Sequence, residues 1–548
     1  MTRPLETPPD IEVPVLIVGG SMVGLSTALF LSHYGIQAMA VERHERTAIH
    51  PRAGHFHLRT LELLRSVGLE EVVARTSAEA FFPNGGINAV QSLAGGETAS
   101  FISNLNAGVE EFSPTRRLFI AQQALEPILR SRAEELGADL RYSTEVVSVV
   151  DDGEGVTTVI RDKASGQERT VRSRYLVASD GWRSQRRAQL GIETRGQGLL
   201  SRSATIYFRA DCRELLAGTH LGVIYVLNER LRGFFRFEKS LQSGFLGVAT
   251  LGDPTRPGAL DVSAGFTTDT AVELVRAAIG VPDIDVEIQD VAHWEATAAL
   301  ADRYRGGRIF LAGDAAHVVP PYGGFGGNTG VQDAHNLASK LALVLDGTAG
   351  EALLDTYEAE RRPVGALTVD QAFSRYIRRL APEFLDEQTP ELVDDFSMEL
   401  GYRYHSPAVL TEDDDKAVDQ AVVGHPREAL GRPGSRAPHV ALRVDDHDRS
   451  VLDLLGRDFV VLAGPAGQVW AEAAERASKE LGLPLSAYVV GSDTPVADVE
   501  GRFADAYGLS DAGVALVRPD GFIAWRSRDL AEDPEAALTD ALRAVLCR

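Results

Sequence analysis

Small residues interrupt the first apolar run of the chain in the segment VPVLIVGGSMVGLSTALFL, which extends from Val13 to Leu31. The pattern predicts a buried strand, a tight turn and a helix, with Gly19, Ser21 and Gly24 in the three positions of a G-x-G-x-x-G motif. Ser21 stands where the second glycine is expected. Its side chain is small, its hydroxyl can donate to a phosphate, and Gly20 beside it restores backbone freedom. The chemistry that this spacing serves is the binding of a dinucleotide pyrophosphate.

The elements that follow the turn predict which half of a dinucleotide lies there. The helix that begins near Met22 presents its N-terminal amides and the positive end of its dipole to the phosphates. A second strand, IQAMAVE, ends at Glu42, eighteen residues after Gly24, near the spacing expected for a carboxylate on a ribose hydroxyl. Together these features predict an ADP-containing cofactor. The turn does not separate FAD from NAD, because both carry the same ADP half.

The bulk properties of the chain exclude several classes of function. It has 548 residues, enough for two or three domains, and a net charge of −23, which disfavours nucleic acid and anionic membranes as partners. The first residues, MTRPLETPPD, lack the apolar core of a signal peptide, and no apolar run reaches the length of a membrane span. Cys212 and Cys547 are the only cysteines, so we expect no disulfide, no metal centre and a cytoplasmic location.

Changes in residue pattern predict an α/β protein built from several units. Alternating strands and helices fill residues 10–195, runs typical of a mostly antiparallel sheet fill 196–300, and a strand with long helices returns over 301–381. Residues 382–435 are rich in proline and acidic residues and predict an irregular connector. We expect 10–195 and 301–381 to form one Rossmann-like domain, with the sheet inserted as a substrate domain.

The tail, residues 436–548, has a βαβαββα pattern that resembles a thioredoxin-like fold. In that fold the redox cysteines follow the first central strand, where this chain has AGPAGQVW. Because this segment has no cysteine, dithiol chemistry is excluded. We expect the tail to serve a structural role or to form a homo-oligomer.

Two later motifs place acidic residues at predicted strand ends. SDGWRS contains Asp180 and Gly181, and LAGDAAHVVPPYGGFGGNTG contains Gly313 and Asp314. With the glycine turn, they make the chain resemble the class A flavoprotein monooxygenases, the aromatic hydroxylases, whose three fingerprints occur in this order. The resemblance covers residues 10–380. It implies bound FAD, with NAD(P)H and O₂ as co-substrates.

The physical chemistry of the G-D segment agrees with FAD. Asp314, at the carboxyl end of a strand, is placed to accept a hydrogen bond from a ribityl hydroxyl. Glycines in the following loop allow the backbone to approach a flat ring; they are Gly323, Gly324, Gly326 and Gly327. A helix predicted to begin near Asn328 would aim its positive end at the pyrimidine edge of the flavin, which is anionic when reduced.

The resemblance also assigns individual residues to the cofactor. It implies that Arg43 lies near the adenosine and that Arg52, in HPRAGH, lies near the pyrophosphate or the ring-side loop. Gln122, in FIAQQALE, matches a glutamine that contacts the cofactor in this family, and the backbone of Val146 would face the adenine. Asp180 would contact the pyrophosphate region and, in passing, the nicotinamide nucleotide.

The reaction implied by the resemblance begins with reduction of FAD by NAD(P)H. O₂ then gives a C4a-hydroperoxide that an electron-rich phenol ring attacks, with the backbone carbonyl of Pro321 beside it. A base would assist, because a phenolate is far more nucleophilic than a phenol. The candidate polar groups, among which the sequence selects none, are His57, Tyr225, His293 and Tyr322. His317, in a tight turn, is expected to be structural.

The segment HPRAGHFHLRTLELLRSVGLE, together with the tail, narrows the resemblance to hydroxylases that tailor bacterial aromatic polyketides. The implied substrates are large fused phenols and quinones. Some relatives perform Baeyer–Villiger insertion or ring cleavage, and these outcomes stay open, as does a non-catalytic flavin-binding protein. A flavin halogenase is disfavoured because the chain lacks W-x-W-x-I-P, and a disulfide reductase is disfavoured because paired cysteines are absent.

Overall fold

The structure is a computed structural model, and it describes residues 8–49, 53–219, 221–250, 266–412 and 421–548. In chain order, the strands are β1 (Ile11–Val18), β2 (Ala38–Val41), β3 (His55–Phe56), β4 (Gly86–Val90), β5 (Glu97–Ile102), β6 (Leu118–Phe119), β7 (Asp139–Arg141), β8 (Thr144–Asp151), β9 (Val156–Asp162), β10 (Glu168–Ala178), β11 (Thr194–Arg209), β12 (Leu221–Leu227), β13 (Arg232–Phe237), β14 (Ser243–Ala249), β15 (Glu287–Ala301), β16 (Arg305–Gly306), β17 (Ile309–Leu311), β18 (His317–Val318), β19 (Ala441–Val444), β20 (His447–Ser450), β21 (Phe459–Ala463), β22 (Leu485–Gly491), β23 (Val496–Asp498), β24 (Val514–Val517) and β25 (Ile523–Ser527).

The helices follow the same numbering. They are α1 (Met22–His33), α2 (Leu58–Ser66), α3 (Glu70–Ala80), α4 (Gln122–Glu135), α5 (Gln185–Gln189), α6 (Thr268–Ile279), α7 (Phe325–Leu345), α8 (Asp355–Leu380), α9 (Asp395–Leu400), α10 (Pro426–Ala429), α11 (Gln468–Leu481), α12 (Phe503–Tyr507) and α13 (Pro534–Val545).

The first sheet carries the dinucleotide turn. Its order is β16-β17-β10-β1-β2-β7, and β17, β10, β1 and β2 run parallel to one another. Residues 15–18 of β1 are all apolar and buried, as expected for a parallel strand covered on both faces. Helix α1 is buried along most of its length and packs against α7. The carboxyl ends of β1, β10 and β17 therefore meet at one edge of the sheet.

The second sheet has the order β18-β15-β11-β14-β13-β12-β4-β5 and is antiparallel except where β12 pairs with β4. Its β4–β5 hairpin comes from residues 86–102, inside the stretch predicted to belong to the first domain. No local turn signal joins β4 to β12, because more than a hundred residues separate them. The sheet therefore extends beyond the predicted 196–300 segment.

The two faces of the second sheet have different neighbours. Ile224 and Phe235 lie opposite each other and belong to an apolar core that includes the buried side of α6. Tyr225 and Phe234, one position on, share the other face and pack near Tyr322 of the glycine-rich loop. Because side chains alternate along a strand, the register decides which residues can reach a ligand beside the first domain.

The tail forms a third sheet, β20-β19-β23-β22-β21-β24-β25, with α11 and α13 packed together. Its β24–β25 turn is buried against the long helices α7 and α8. Arg518 Nη1 donates to Glu360 Oε1 at 2.7 Å, Lys340 Nζ donates to Glu360 Oε2 at 2.6 Å, and Asn336 Nδ2 donates to Asp520 Oδ2 at 3.1 Å. The tail is thus joined to the first domain through a buried cluster of four charged side chains.

The described ranges contain neither a membrane-spanning helix nor a cluster of metal-binding side chains. No helix there is long and apolar enough to cross a membrane. No group of three or more His, Cys, Asp or Glu side chains there is arranged to hold a metal ion.

Candidate cofactor and substrate site

The three sequence motifs meet at the carboxyl edge of the first sheet. Gly19 follows β1, Asp180 lies just after β10, and Gly313 follows β17, and these strands are neighbours in the sheet. A Cβ placed on Gly19, whose φ is +112°, would strike the backbone of Ser179, and one on Gly24 would strike the carbonyl oxygen of Gly19. Both glycines are therefore required by the close approach of the turn to its neighbours.

The Ser21 hydroxyl, which the sequence identified as a possible donor to a phosphate, donates to a carboxylate of the protein in this structure. Its Oγ donates to Glu126 Oε1 at 2.6 Å, and the Met22 amide donates to the same oxygen at 2.9 Å. Gln122 Nε2 donates to Ser21 Oγ at 3.1 Å and to Glu126 Oε1 at 2.7 Å. Gln122 Oε1 accepts the Ala53 amide at 3.1 Å. Sequence reasoning missed Glu126. Its only signal in the sequence was an acidic residue four positions after Gln122 in the predicted helix, and the structure shows that it is buried.

The second strand ends at Val41, one residue before the predicted end at Glu42, and this acid lies beside the turn. Glu42 Oε2 accepts the Gly20 amide at 2.8 Å, and Oε1 accepts the His44 amide at 2.9 Å. The Arg43 side chain is exposed, and its carbonyl accepts from Lys163 Nζ at 3.0 Å. This arrangement fixes the acid at the mouth of the turn, where the adenosine ribose was predicted.

Two further residues, Val146 and Arg52, were predicted for the adenosine and pyrophosphate ends of the cofactor. Val146 is half-buried on β8, opposite Ile160 of β9, just before a bulge in the pairing. Arg52 lies outside the described residues.

The two motif aspartates have different environments. Asp180 Oδ2 accepts the amides of Gln185 and Arg186 at 3.0 and 3.3 Å, whereas its buried Oδ1 has no partner among the described residues. Asp314 is exposed although the residues on both sides of it, Gly313 and Ala315, are buried. Asp180 thus caps α5 with one oxygen, and Asp314 presents its side chain at the open edge of the sheet.

A buried ion cluster holds the G-D turn in place. Asp333 of α7 accepts the Gly313 amide at 3.1 Å, lies 2.6 Å from His317 Nε2 and accepts from Arg361 Nε at 2.8 Å. Burial opposes ionisation of Asp333, but His317 and Arg361 outweigh it and hold its pKa below the usual range. His317 is fully buried in this cluster, as expected for the structural role that the sequence predicted.

The glycine-rich loop leads into α7, which begins at Phe325, three residues before the predicted start. A Cβ on Gly327 would strike the Met22 side chain, and one on Gly326 would lie 2.9 Å from Val319. Gly327 therefore allows α7 to lie against the start of α1, and Gly326 allows its first turn to lie close to Val319 of the preceding loop.

The start of α7 is also fixed to the segment that carries β3. Asn328 Oδ1 accepts the His57 amide at 3.0 Å, and Asn328 Nδ2 donates to the His55 carbonyl at 2.9 Å. The Asn328 side chain thus fixes the β3 segment to the first turn of α7, and the helix amides remain available at its N-terminus. The Pro321 carbonyl accepts the Gly324 amide at 3.3 Å, which closes the loop before the helix.

The four candidate bases do not lie together. Tyr225 and Tyr322 stack, with ring centroids 6.3 Å apart. His57 is buried, its Nε2 is 2.9 Å from the Gly323 carbonyl, and burial lowers its pKa. His293 is exposed and packs edge-on to Phe266, on the sheet face away from Tyr225. The register of β15 thus excludes His293, and His57 is used in a loop contact.

Arg379 of α8, which sequence reasoning missed, completes the aromatic side of the site. Its Nη1 donates to Tyr225 Oη at 3.2 Å, and its guanidinium carbon is 5.2 Å from the ring of Phe101. Among the described residues, no carboxylate forms an ion pair with Arg379. Burial raises the pKa of Tyr322 well above its usual value, so this hydroxyl stays neutral. The guanidinium of Arg379 beside these hydroxyls favours a negatively charged oxygen of a ligand placed against it.

A second arginine lies on the same sheet face, and it forms no ion pair with a carboxylate of the described residues. Arg236 is buried, and its guanidinium carbon is 4.1 Å from the Phe81 ring and 4.7 Å from the Phe119 ring. Its Nε and Nη2 have no hydrogen-bond partner among the described residues. Burial lowers its pKa to about 9, so the side chain remains cationic at neutral pH. Arg236 and Arg379 thus place two positive charges on the sheet face that carries Tyr225, in a protein whose net charge is −23.

The residues at the sheet edge fit a flavin dinucleotide. The turn at Gly19 and Gly24 leaves no room for side chains, Glu42 lies at the mouth of the turn, and Asp180 keeps one buried oxygen without a partner in the described chain. Asp314 lies at the same edge and is exposed. These are the donors, acceptors and close backbone that an ADP group and a ribityl chain need.

Comparison with known proteins identifies the family. Residues 12–372 match the FAD binding domain, and residues 430–548 match the C-terminal domain of aromatic-ring hydroxylases. The chain is 42% identical to tetracenomycin B2 monooxygenase-dioxygenase of Streptomyces olivaceus over 98% of this chain and 99% of that protein. It is 38% identical to an aklavinone 12-hydroxylase of Streptomyces purpurascens over 98% of this chain and all of that protein.

Solved structures show the same relationship. A crystal structure of aklavinone-11 hydroxylase in a ternary complex with FAD and aklavinone matches with a TM-score of 0.91 at 38% identity, covering 98% of this chain and 100% of that one. The flavin-dependent monooxygenase PieE, in complex with FAD and substrate, matches with a TM-score of 0.87 at 33% identity, covering 98% and 100%. The chain belongs to the FAD-dependent aromatic-ring hydroxylases and is a flavin monooxygenase.

Proposed function

We propose that the protein uses NAD(P)H and O₂ to hydroxylate a polycyclic aromatic polyketide, a fused phenol or quinone. The overall reaction is NAD(P)H + H⁺ + O₂ + Ar–H → NAD(P)⁺ + H₂O + Ar–OH. The relatives named for tetracenomycin and aklavinone support this substrate class. The observation in the chain that carries the proposal is the Tyr225–Arg379 pair, set in an aromatic wall beside the glycine-rich loop.

The division of labour follows from what each group can do. Bound FAD would accept hydride and activate O₂, and the predicted cofactor residues, Gly19 to Gly24, Glu42, Gln122, Asp180, Asp314 and Gly326 to Asn328, would hold it. Phe101, Phe234 and Tyr322 form an apolar wall suited to a flat ring system and exclude water from it.

The chain's own chemistry is the control of one proton on the substrate phenol. Tyr225 Oη offers a hydrogen-bond partner to that phenol, and Arg379 stabilises the negative charge that forms when the proton leaves. A unit charge about 4 Å from another at an effective dielectric of about 20 contributes about 4 kcal/mol, which corresponds to about three pKa units. An ionised phenol makes the ring more nucleophilic toward electrophilic oxygen.

The proposal is tested by supplying purified holoenzyme with NADPH or NADH, ¹⁸O₂ and a panel of anthraquinone and tetracene phenols. We expect a product heavier by one ¹⁸O atom, with coupled NAD(P)H oxidation. Arg379→Met is expected to raise the apparent pKa of the kcat/KM profile by about one to three units. Arg378→Met, which removes the neighbouring half-buried arginine, is the matched control. A wild-type pH profile in Arg379→Met, or no ¹⁸O in any product, would refute the proposal.

A second candidate is ring insertion or ring cleavage of such a substrate, or oxygenation with both atoms of O₂. It is favoured by the relative named a monooxygenase-dioxygenase, which is 42% identical to this chain. In the same ¹⁸O₂ experiment, oxygenation with both atoms gives products that contain two ¹⁸O atoms. A ring insertion adds one ¹⁸O atom, as hydroxylation does, and is recognised by an ester or lactone product in place of a new phenol.

A further inference from the structure

One buried carboxylate joins three separate pieces of the dinucleotide site. Glu126 of α4 is fully buried. Its Oε1 accepts from Ser21 Oγ, the Met22 amide and Gln122 Nε2 at 2.6, 2.9 and 2.7 Å. Its Oε2 accepts the Ala48 amide at 2.6 Å. The donors come from the glycine turn, from the segment after Glu42 and from α4 itself.

These donors replace the basic partner that a buried carboxylate usually has. No Lys, Arg or His of the described chain forms an ion pair with Glu126. Four charge-assisted hydrogen bonds compensate the cost of burying the group. Other buried glutamates of this protein pair with arginine, as Glu62 does with Arg436 and Glu399 does with Arg117. A carboxylate held mainly by backbone and neutral side chains orients those groups.

The pieces that Glu126 holds are those that carry the predicted contacts to the ADP half of FAD. The turn contains Ser21 and Met22, and Ala48 lies in the segment between the predicted ribose acid, Glu42, and the β3 strand. Gln122 extends the connection to Ala53, because its backbone amide donates to the Ala53 carbonyl at 2.9 Å and its side-chain Oε1 accepts the Ala53 amide. Loss of the carboxylate would release the turn and this segment from each other.

We propose that Glu126 is a positioning residue for the ADP half of FAD, and that Ser21 and Gln122 act through it. Because Glu126 accepts the Met22 amide and the Ser21 hydroxyl, the diphosphate must be received by other amides of the turn. The carboxylate holds the glycine turn and the Ala48 segment in place and does not itself contact the cofactor. Its negative charge opposes the diphosphate, so its net benefit lies in the geometry it imposes.

Glu126→Gln tests the proposal in the holoenzyme. The glutamine side chain keeps one oxygen that accepts from Ser21 and Met22, but it places its NH₂ group against the backbone amide of Ala48. The substitution therefore breaks the connection between the glycine turn and the segment that contains Ala48. We expect the Kd for FAD, measured from flavin fluorescence on dilution, to rise about tenfold or more. The absorption spectrum of the flavin that stays bound is expected to match wild type. Asp498→Asn, which removes a tail carboxylate that accepts the Phe503 and Gly501 amides at 2.8 and 3.0 Å, is the stability control and is expected to leave FAD affinity unchanged.

A double-mutant cycle separates action through Glu126 from direct contact with phosphate. Ser21→Ala removes one hydrogen-bond donor to Glu126 at an exposed position and is expected to weaken FAD binding several-fold. If Ser21 acts through Glu126, the double variant binds FAD no more weakly than Glu126→Gln alone. Additive losses would overturn this part of the proposal. Unchanged FAD affinity in Glu126→Gln, or tighter binding, would overturn the whole of it, and if that variant does not fold, wild-type affinity in Ser21→Ala would do the same.

Discussion

The buried charge cluster between the tail and the long helices predicts that Arg518 determines how firmly the tail is attached. The cluster contains two anions, Glu360 and Asp520, and two cations, Lys340 and Arg518, so its charges balance. Arg518→Met leaves one buried negative charge without compensation. Breaking a buried ion pair by removing one partner costs about 3–5 kcal/mol. We expect a loss of that size in the free energy of unfolding.

The effect is measured as the midpoint of thermal unfolding of the holoenzyme. For domains of about 150–250 residues, each kcal/mol of lost stability lowers the midpoint of unfolding by about 2–4 °C. Arg518→Met is therefore expected to lower it by about 6–20 °C. Arg528 is the matched control, because it also pairs with a glutamate, Glu412, but is half exposed. Arg528→Met is expected to change stability by less than about 1 kcal/mol.

A second substitution tests whether charge balance is the cause. Adding Asp520→Asn to Arg518→Met leaves Glu360 and Lys340 as a neutral pair, so part of the lost stability is expected to return. A midpoint in Arg518→Met no lower than in Arg528→Met would refute the reasoning. No recovery in the double variant would show that packing, rather than charge, holds the tail.

Three further predictions concern the cofactor, pH and the tail thiol. Asp314→Ala is expected to weaken FAD binding about ten- to a hundredfold through loss of a charge-assisted hydrogen bond, and full flavin occupancy after purification would contradict it. Burial lowers the pKa of His439 from 6.5 to about 4, so the unfolded chain takes up the proton first and stability is lost as pH falls through that window. His439→Asn is expected to flatten this part of the stability profile, whereas His447→Asn, at an exposed site, is not. Burial raises the pKa of the Cys547 thiol, so Cys547→Ser is expected to turn over at the wild-type rate under reducing and oxidising conditions, and a clear loss of rate would restore a thiol mechanism.

The sequence by itself determined the glycine turn at the sheet edge and the family. The requirement for glycine at Gly19, Gly24 and Gly327 comes from close approach of backbone and helix, which a short motif encodes directly. The strands before the three motifs are parallel neighbours, so motifs far apart in the chain had to meet at one edge. His317 could be judged structural because a residue fixed in a tight turn has little freedom to reach a ligand.

The tertiary structure alone decided which side chains share a face and which charges meet. Tyr225 and Arg379 are 154 positions apart, and Ser21 and Glu126 are 105 apart, so no local pattern relates them. His293 was excluded by strand register, in which a shift of one residue moves a side chain to the opposite face. Local motifs fix backbone geometry over a few residues. The partners of a buried charge are chosen by the packing of whole elements, and that packing is settled only when the chain has folded.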